Sequence, residues 1–201
     1  MTLVDIGNTH FHIYNNGGIV HLKHPTKIKG DVYYISVNEK KEKEFLTLNP
    51  KAVNLKHYVK FKTNYQGLGI DRIMACKPVK NGTVVDAGSA VTIDVMEDGV
   101  HKGGIITPGL YAFKKAFGTI SEVLEYEISK PGDSLPLNTS EALNAGSVGA
   151  VVCLIKSVGK GMLHFTGSDG KFFSKIFHGS EYIEDLVFRG MMITIKEMEI
   201  K

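Results

Sequence analysis

The feature that most constrains this chain is an internal echo. Leu3-Val4-Asp5-Ile6-Gly7-Asn8-Thr9 returns later as Val84-Val85-Asp86-Ala87-Gly88-Ser89-Ala90. In each copy an apolar strand runs into Asp-x-Gly and a small polar residue. A second apolar run follows, Phe11-His12-Ile13-Tyr14 in one and Val91-Thr92-Ile93-Asp94-Val95 in the other. Each then meets a hairpin-closing turn, Asn15-Asn16-Gly17-Gly18 or Glu97-Asp98-Gly99. A third strand completes each meander, Ile19-Val20-His21-Leu22 or the run from His101 to Ile106. Two copies of one β-meander predict two related α/β domains that face each other. The Lys-Pro and Asn-Gly breaks between Pro78 and Gly82 put their boundary there, giving domains 1–78 and 79–201.

Helices fill the remaining segments. Residues 39–48 and 71–77 read as helical, and Pro108 suits the start of a helix running through Leu110 to Phe117. Asn138-Thr139-Ser140-Glu141 has capping-box spacing and opens a helix with Leu143, Val148, Val151, Val152 and Ile155 on its apolar positions. A strand over 161–165 and a last helix over about 181–197 complete the reading.

Several function classes fall away on composition. A net charge of +3 is too weak for nucleic-acid binding, which needs clustered Lys and Arg. The run Glu39-Lys40-Lys41-Glu42-Lys43-Glu44 alternates in sign and reads as a solvated helix face or loop. Cys76 and Cys153 lie far apart with no metal or redox spacing, so a reduced cytoplasmic chain is expected. Met1-Thr2-Leu3-Val4-Asp5 enters a strand directly, without the pattern of a signal peptide, and the apolar stretch from Val148 to Ile155 is too short to cross a bilayer. His10 and His12 could share a strand face, and a surface pair is the expected outcome there rather than a metal site.

The paired Asp-x-Gly turns suit phosphoryl transfer, which depends on positioning and charge neutralisation more than on covalent chemistry. Gly7 and Gly88 let the backbone approach phosphate oxygens that a Cβ would block. Asn8, Thr9 and Ser89 add neutral donors, while Asp5 suits Mg²⁺ or its waters, since direct contact with phosphate would be repulsive. A single Asp-x-Gly is more simply a turn with an Asx hydrogen bond; two in matched strand context favour the phosphate clamp. Other nucleotide signatures are absent: Gly159-Lys160-Gly161 lacks the rest of a phosphate-binding loop, and Gly67-Leu68-Gly69 meets Arg72 where a dinucleotide loop needs glycine. In Tyr65-Gln66-Gly67-Leu68-Gly69-Ile70-Asp71-Arg72 a carboxylate stands beside a guanidinium after a Gly-rich loop. That pair could supply a base for a hydroxyl acceptor and a cation for its phosphate, or it could simply begin a helix.

Taken in order, Asp5-Ile6-Gly7-Asn8-Thr9, Gly69-Ile70-Asp71-Arg72, Asp86-Ala87-Gly88-Ser89, Gly103-Gly104-Ile105-Ile106-Thr107-Pro108-Gly109 and Asn138-Thr139 resemble the type III pantothenate kinases over nearly the whole chain. The resemblance implies an actin-like α/β fold of two ribonuclease H-like domains, a homodimer, and phosphorylation of pantothenate by ATP as the first step towards coenzyme A. It implies that Asp71 is the general base, and that Tyr65, Gly69, Ile70 and Arg72 bind pantothenate. Thr139 would reach the substrate across the dimer interface while also helping to begin its helix. ATP would be held by Asp5, Ile6, Gly7, Asn8, Thr9 and His10, by Gly88 and Ser89, and on its adenosine side by Gly167 and Asp169. Asp86 would ligate a monovalent cation, K⁺ or NH₄⁺, and Asp5 would hold Mg²⁺. Ser89 replaces the threonine common at its position and keeps the hydroxyl, whereas Ser168 stands where glycine is common. A kinase for another small hydroxyl substrate, or an inactive regulatory relative, are the alternatives.

Overall fold

A computed structural model describes residues 1–200. The chain divides into two compact units, one of Met1–Lys80, Gly99–His101 and the residues from Asp185 onward, the other of Asn81–Asp98 and Lys102–Glu184.

In the first unit, β1 (Thr2–Ile6), β2 (Phe11–Asn15) and β3 (Gly18–Leu22) form the expected antiparallel meander. Asn16 and Gly17 both take positive φ, 48° and 85°, as the tight turn between β2 and β3 requires. β4 (Val32–Ser36) adds in parallel to β1, and β5 (Val53–Asn54) to β4, giving the order β3-β2-β1-β4-β5. The alternation that marks β1 and β4 drives Val4, Ile6, Val32 and Tyr34 into a core with Phe11 and with Phe45 of α1 (Glu39–Leu48). β6 (Lys62–Thr63) pairs with Val100 and His101, and α2 (Ile70–Cys76) follows the acceptor loop.

In the second unit the meander recurs as β7 (Gly82–Ala87), β8 (Ala90–Glu97) and β9 (Val100–Pro108). Helix α3 (Leu110–Ile120) follows β9, and α4 (Thr139–Asn144) leads through a π-helical turn at Ala145–Gly149 into α5 (Ala150–Val158). β10 (Leu163–Thr166) adds in parallel to β7, then come α6 (Gly170–Ser174) and β11 (Glu181–Tyr182), paired in parallel with β10. Strand and helix faces meet in a core of Val85, Val91, Ile93, Leu110, Val148, Val151, Ile155, Phe165 and Phe173.

Four expectations are corrected. Pro108 ends β9 instead of opening α3, because Gly109, extended at φ −72° and ψ 169°, takes the N-cap. The predicted last helix loses its first residues to β11 and begins only at α7 (Leu186–Glu199). Helix α7 packs in the first unit, not in a domain running to 201: a Cβ on Gly190 would lie 2.7 Å from the Met74 carbonyl carbon, an approach open only to glycine. There Thr194 Oγ1 donates to Met74 Sδ at 3.6 Å and Lys77 Nζ meets Glu197 at 2.9 Å. Finally, the apolar helical run is longer than Val148–Ile155. From Thr139 to Val158 it has the length and composition of a membrane span, yet Val148, Val151 and Ile155 are spent on the second unit's core.

Candidate active site

Asp5 and Ile6 end β1 with partners on both sides, His12 and Phe11 of β2 and Ile35 and Ser36 of β4. Beyond them the Gly7 N–H donates to the His10 carbonyl at 3.0 Å and closes the turn. A Cβ on Gly7 would crowd that carbonyl at 3.3 Å. Asn8 Oδ1 accepts from Asn38 Nδ2 at 3.2 Å, and Asn38 caps α1, so the turn is tied to the start of that helix. Asn8 and Thr9 are exposed at the tip. Behind the hairpin, His12 Nδ1 and His21 Nδ1 share a hydrogen bond at 2.6 Å. Burial, then the charges of His21, His10 and Lys41, push His12 down to about 4. The His10–His12 pair was expected at the surface; His12 is half-buried and its close partner is His21.

The acceptor residues also lie in the first unit. Gly69 caps α2 without a side chain, and a Cβ there would stand 2.5 Å from Asp71 Oδ1. That oxygen accepts the Arg72 N–H at 2.8 Å, so glycine at 69 is what lets the Asp71 carboxylate fold back over the helix start. Arg72 is 5 % exposed, far from the surface arginine of the simpler reading, and its guanidinium lies 4.9 Å from the Tyr65 ring centroid. Thr63 Oγ1 accepts the Tyr65 N–H at 3.0 Å and bonds His101 Nδ1 at 2.8 Å. Tyr65, Gly69, Asp71 and Arg72 therefore form one cluster, with Ile70 buried beneath it.

In the second unit three glycine-bearing segments meet at the Asp86–Ser89 turn. Gly88 N–H donates to the Ala90 carbonyl at 2.9 Å, Asp169 N–H to Ala87 at 2.8 Å, and Gly109 N–H to Ser89 at 3.2 Å. A Cβ on Gly109 would lie 2.8 Å from the Ser89 carbonyl oxygen and closer still to that of Gly88. Gly167, at φ +83°, packs so tightly that a Cβ would overlap the Ala87 carbonyl and Asp86 Oδ1. Tyr182 Oη donates to the Gly167 carbonyl at 3.5 Å. Burial raises the Asp169 carboxyl, and burial followed by the charges of Glu184 and Asp86 raises the Tyr182 phenol. Asp86, Gly88, Ser89, Gly167 and Asp169 are thus brought together. Gly109 and Tyr182 join them without having been singled out as site residues, although Gly109 ends a conspicuous glycine-rich motif and Tyr182 carries no signal in the sequence. Thr139 is exposed at the first position of α4, where Asn138 Oδ1 accepts the Glu141 N–H at 3.0 Å.

No three His, Cys, Asp or Glu side chains converge as a metal cage among the described residues. Single carboxylates beside glycine turns fit a hard cation that keeps waters and phosphate oxygens in its shell.

Comparison with known proteins sharpens the assignment. Residues 35–160 match the type III pantothenate kinase family. The type III pantothenate kinase of Helicobacter hepaticus is 44% identical over 98% of this chain and 99% of its own length. That of Wolinella succinogenes is 41% identical over 99% and 98%. A Campylobacter jejuni crystal structure, of a protein assigned to the Baf family of transcriptional activators, superposes with a TM-score of 0.88 at 38% identity over the whole of both chains. A 2-dehydro-3-deoxygalactonokinase structure from Sinorhizobium meliloti, with 98% of each chain covered, shares the fold alone, at a TM-score of 0.54 and 8% identity. The two mixed sheets with their flanking helices are the architecture these structures share with the chain. With the family match over more than half its length and such relatives aligned along nearly all of it, the chain belongs to the type III pantothenate kinase family.

Proposed function

We infer that the chain transfers the γ-phosphoryl group of ATP to the primary hydroxyl of pantothenate, giving 4'-phosphopantothenate for coenzyme A synthesis. The observation that carries this reading is the cluster at the start of α2. Asp71 has one carboxylate oxygen engaged by the Arg72 N–H, and Arg72 is buried against Tyr65. Asp71 is the general base: its carboxylate accepts the hydroxyl proton as the substrate oxygen bonds to the γ-phosphorus and the bond to the ADP oxygen breaks. In a loose transition state the proton leaves late, so a carboxylate is basic enough. Arg72, with Tyr65, Gly69 and Ile70, holds pantothenate and fixes its hydroxyl near Asp71.

At each Asp-x-Gly turn the glycine lets phosphate oxygens approach and its neighbours meet them: Asn8, Thr9 and His10 beside Gly7, with Asp5 and Ile6 behind them, and Ser89 beside Gly88. Gly167 and Asp169 form the adenosine-side loop. Mg²⁺ at Asp5, directly or through water, and K⁺ or NH₄⁺ at Asp86 neutralise phosphate charge when bound. A second copy of the chain completes the enzyme. Support for this lies in the large apolar side chains exposed in the second unit, Tyr111 at 77 %, Val123 at 82 % and Leu137 at 97 %. Thr139, two residues beyond Leu137, would then serve the partner's pantothenate. The cytoplasm is the expected location for this chemistry.

The test is an assay for 4'-phosphopantothenate with purified protein, ATP and Mg²⁺, with and without K⁺. Product that depends on K⁺ supports the reading, and absence of product with poor pantothenate binding rejects it. A screen of other hydroxyl acceptors separates this kinase from one with another substrate.

A further inference from the structure

The sign-alternating run at the start of α1 is not a uniformly solvated face. Glu39, Lys40, Lys43 and Glu44 are exposed, but Lys41 and Glu42 turn inward. Glu42 is fully used, accepting from Tyr34 Oη at 2.7 Å and from Asn54 Nδ2 at 3.1 Å. Lys41 is not. Its Nζ is buried and makes no hydrogen bond to any described residue. It lies 5.1 Å from the centroid of Phe11, itself 1 % exposed. A ring face replaces only part of the hydration that an ammonium loses, so a buried ammonium without a hydrogen-bond acceptor is costly.

The position of this ammonium explains what could offset that cost. The Lys41 N–H donates to Asn38 Oδ1 at 3.0 Å, and Asn38 Nδ2 donates to Asn8 Oδ1 at the tip of the first Asp-x-Gly turn. The Lys41 charge also acts on His12. The Nε2 of His12 is 3.6 Å from where a Gly7 Cβ would stand. Phe11 and His12 thus face this ammonium, while the backbone of Lys41 is linked through Asn38 to Asn8 at the tip of the hairpin. An anion there would supply the missing acceptor, and charge-assisted hydrogen bonds to phosphate are among the stronger ones.

We propose that Lys41 is a phosphate-binding residue, its ammonium being the fixed positive charge that ATP phosphate oxygens meet at the Asp5–His10 hairpin. The proposal rests on the reading of that hairpin as a phosphate site and adds to it a residue from a separate element, α1. A purely structural Lys41, held by Phe11 alone, makes the opposite forecast for each measurement below.

The experiment is calorimetric titration of ATP with Mg²⁺ into the full chain as wild type, Lys41→Met, Lys41→Gln, Lys41→Arg and Asn8→Ala, with a thermal melt of each. Lys41→Met keeps an unbranched chain over Phe11 and removes the charge. It should weaken ATP binding by about ten- to a hundred-fold, the range of a lost hydrogen bond to a charged group. Lys41→Arg should stay much closer to wild type, and the melting temperature of Lys41→Met should not fall. Wild-type ATP affinity in a folded Lys41→Met overturns the proposal, and Lys41→Gln gives the same reading if the methionine variant does not fold. If Asn8→Ala weakens ATP binding and the charge-removing variants do not, only Lys41 is rejected. If wild type fails to bind ATP, or Asn8→Ala binds it unchanged, the hairpin reading falls and Lys41 with it.

Discussion

Replacing Gly167 by alanine tests the construction of the second Asp-x-Gly turn. Two separate costs meet at this position. Gly167 has φ +83°, and a left-handed conformation costs an L-residue about 1–2 kcal/mol. The added Cβ would also overlap the Ala87 carbonyl oxygen and Asp86 Oδ1, with the Ala87 carbonyl carbon only 2.8 Å away. Those neighbours belong to the end of β7, which is paired on both sides and cannot yield cheaply. Overpacking of this kind costs about 1–3 kcal/mol, so the two terms together give about 2–5 kcal/mol. Two other glycines separate the terms. Gly179 has φ +76° with nothing within 4 Å of a Cβ, so Gly179→Ala should cost only about 1–2 kcal/mol. Gly109 has φ −72° but abuts Gly88 and Ser89, so Gly109→Ala should show the steric cost alone. Chemical denaturation gives the stabilities, and ATP titration gives the functional consequence. The Gly167 and Gly109 variants should lose ATP affinity, while the Gly179 variant should keep it. A Gly167→Ala protein no less stable than Gly179→Ala, or one with unchanged ATP affinity, would refute the reasoning.

Four further outcomes are expected. Asp71→Asn should abolish turnover in a phosphopantothenate assay while pantothenate still binds; retained turnover rejects Asp71 as base. Asp86→Ala should abolish or flatten the response of the rate to added K⁺, and an unaltered response places the cation elsewhere. His12 is held neutral, its pKa lowered from 6.5 to about 4 by burial and by His21, His10 and Lys41. The unfolded chain therefore binds the proton first, and stability should fall as pH drops from about 6.5 to about 4. His12→Gln should remove that part of the slope in pH-dependent melts, and an identical slope would show that other groups carry it. Finally, mixing Asp71→Asn with Thr139→Ala subunits should restore activity above either alone if Thr139 serves the partner's site; no gain on mixing assigns Thr139 to its own chain.

What the sequence disclosed was mostly local. The two meanders were readable because Asp-x-Gly turns, alternating strands and Asn-Gly or Asp-Gly hairpins each act over a few residues. The start of α1 at Glu39 follows from its Asn38 cap in the same way. What it hid depends on partners distant in sequence. Gly190 reads as an isolated helix-weakening residue until the backbone of Met74 lies against it. Pro108 has the look of a helix start, and only the pairing of β9 makes it a strand end. The burial of Arg72 and the inward turn of Lys41 could not be seen either, since a charged residue in a polar run has the same composition whether it faces water or an aromatic ring. Of the proposed site, the glycine turns, the motif ending at Gly109 and Asp71-Arg72 stood out in the sequence, while the part of Tyr182 and Lys41, and the pairing of His12 with His21, emerged only from geometry.

The packing of α7 on α2 also bears on the order in which the chain can complete its first unit. Asp71 and Arg72 are translated early, on a helix whose buried face, including Met74, is covered by residues around Gly190 and Thr194. Until α7 is made, the part of that face which α7 covers has no partner, although β4 also lies against the helix. A chain stalled before α7 would carry Asp71 and Arg72 without the helix that packs against theirs, and would expose apolar surface. The helix that carries Asp71 and Arg72 is thus buttressed by a helix 120 residues further along the chain.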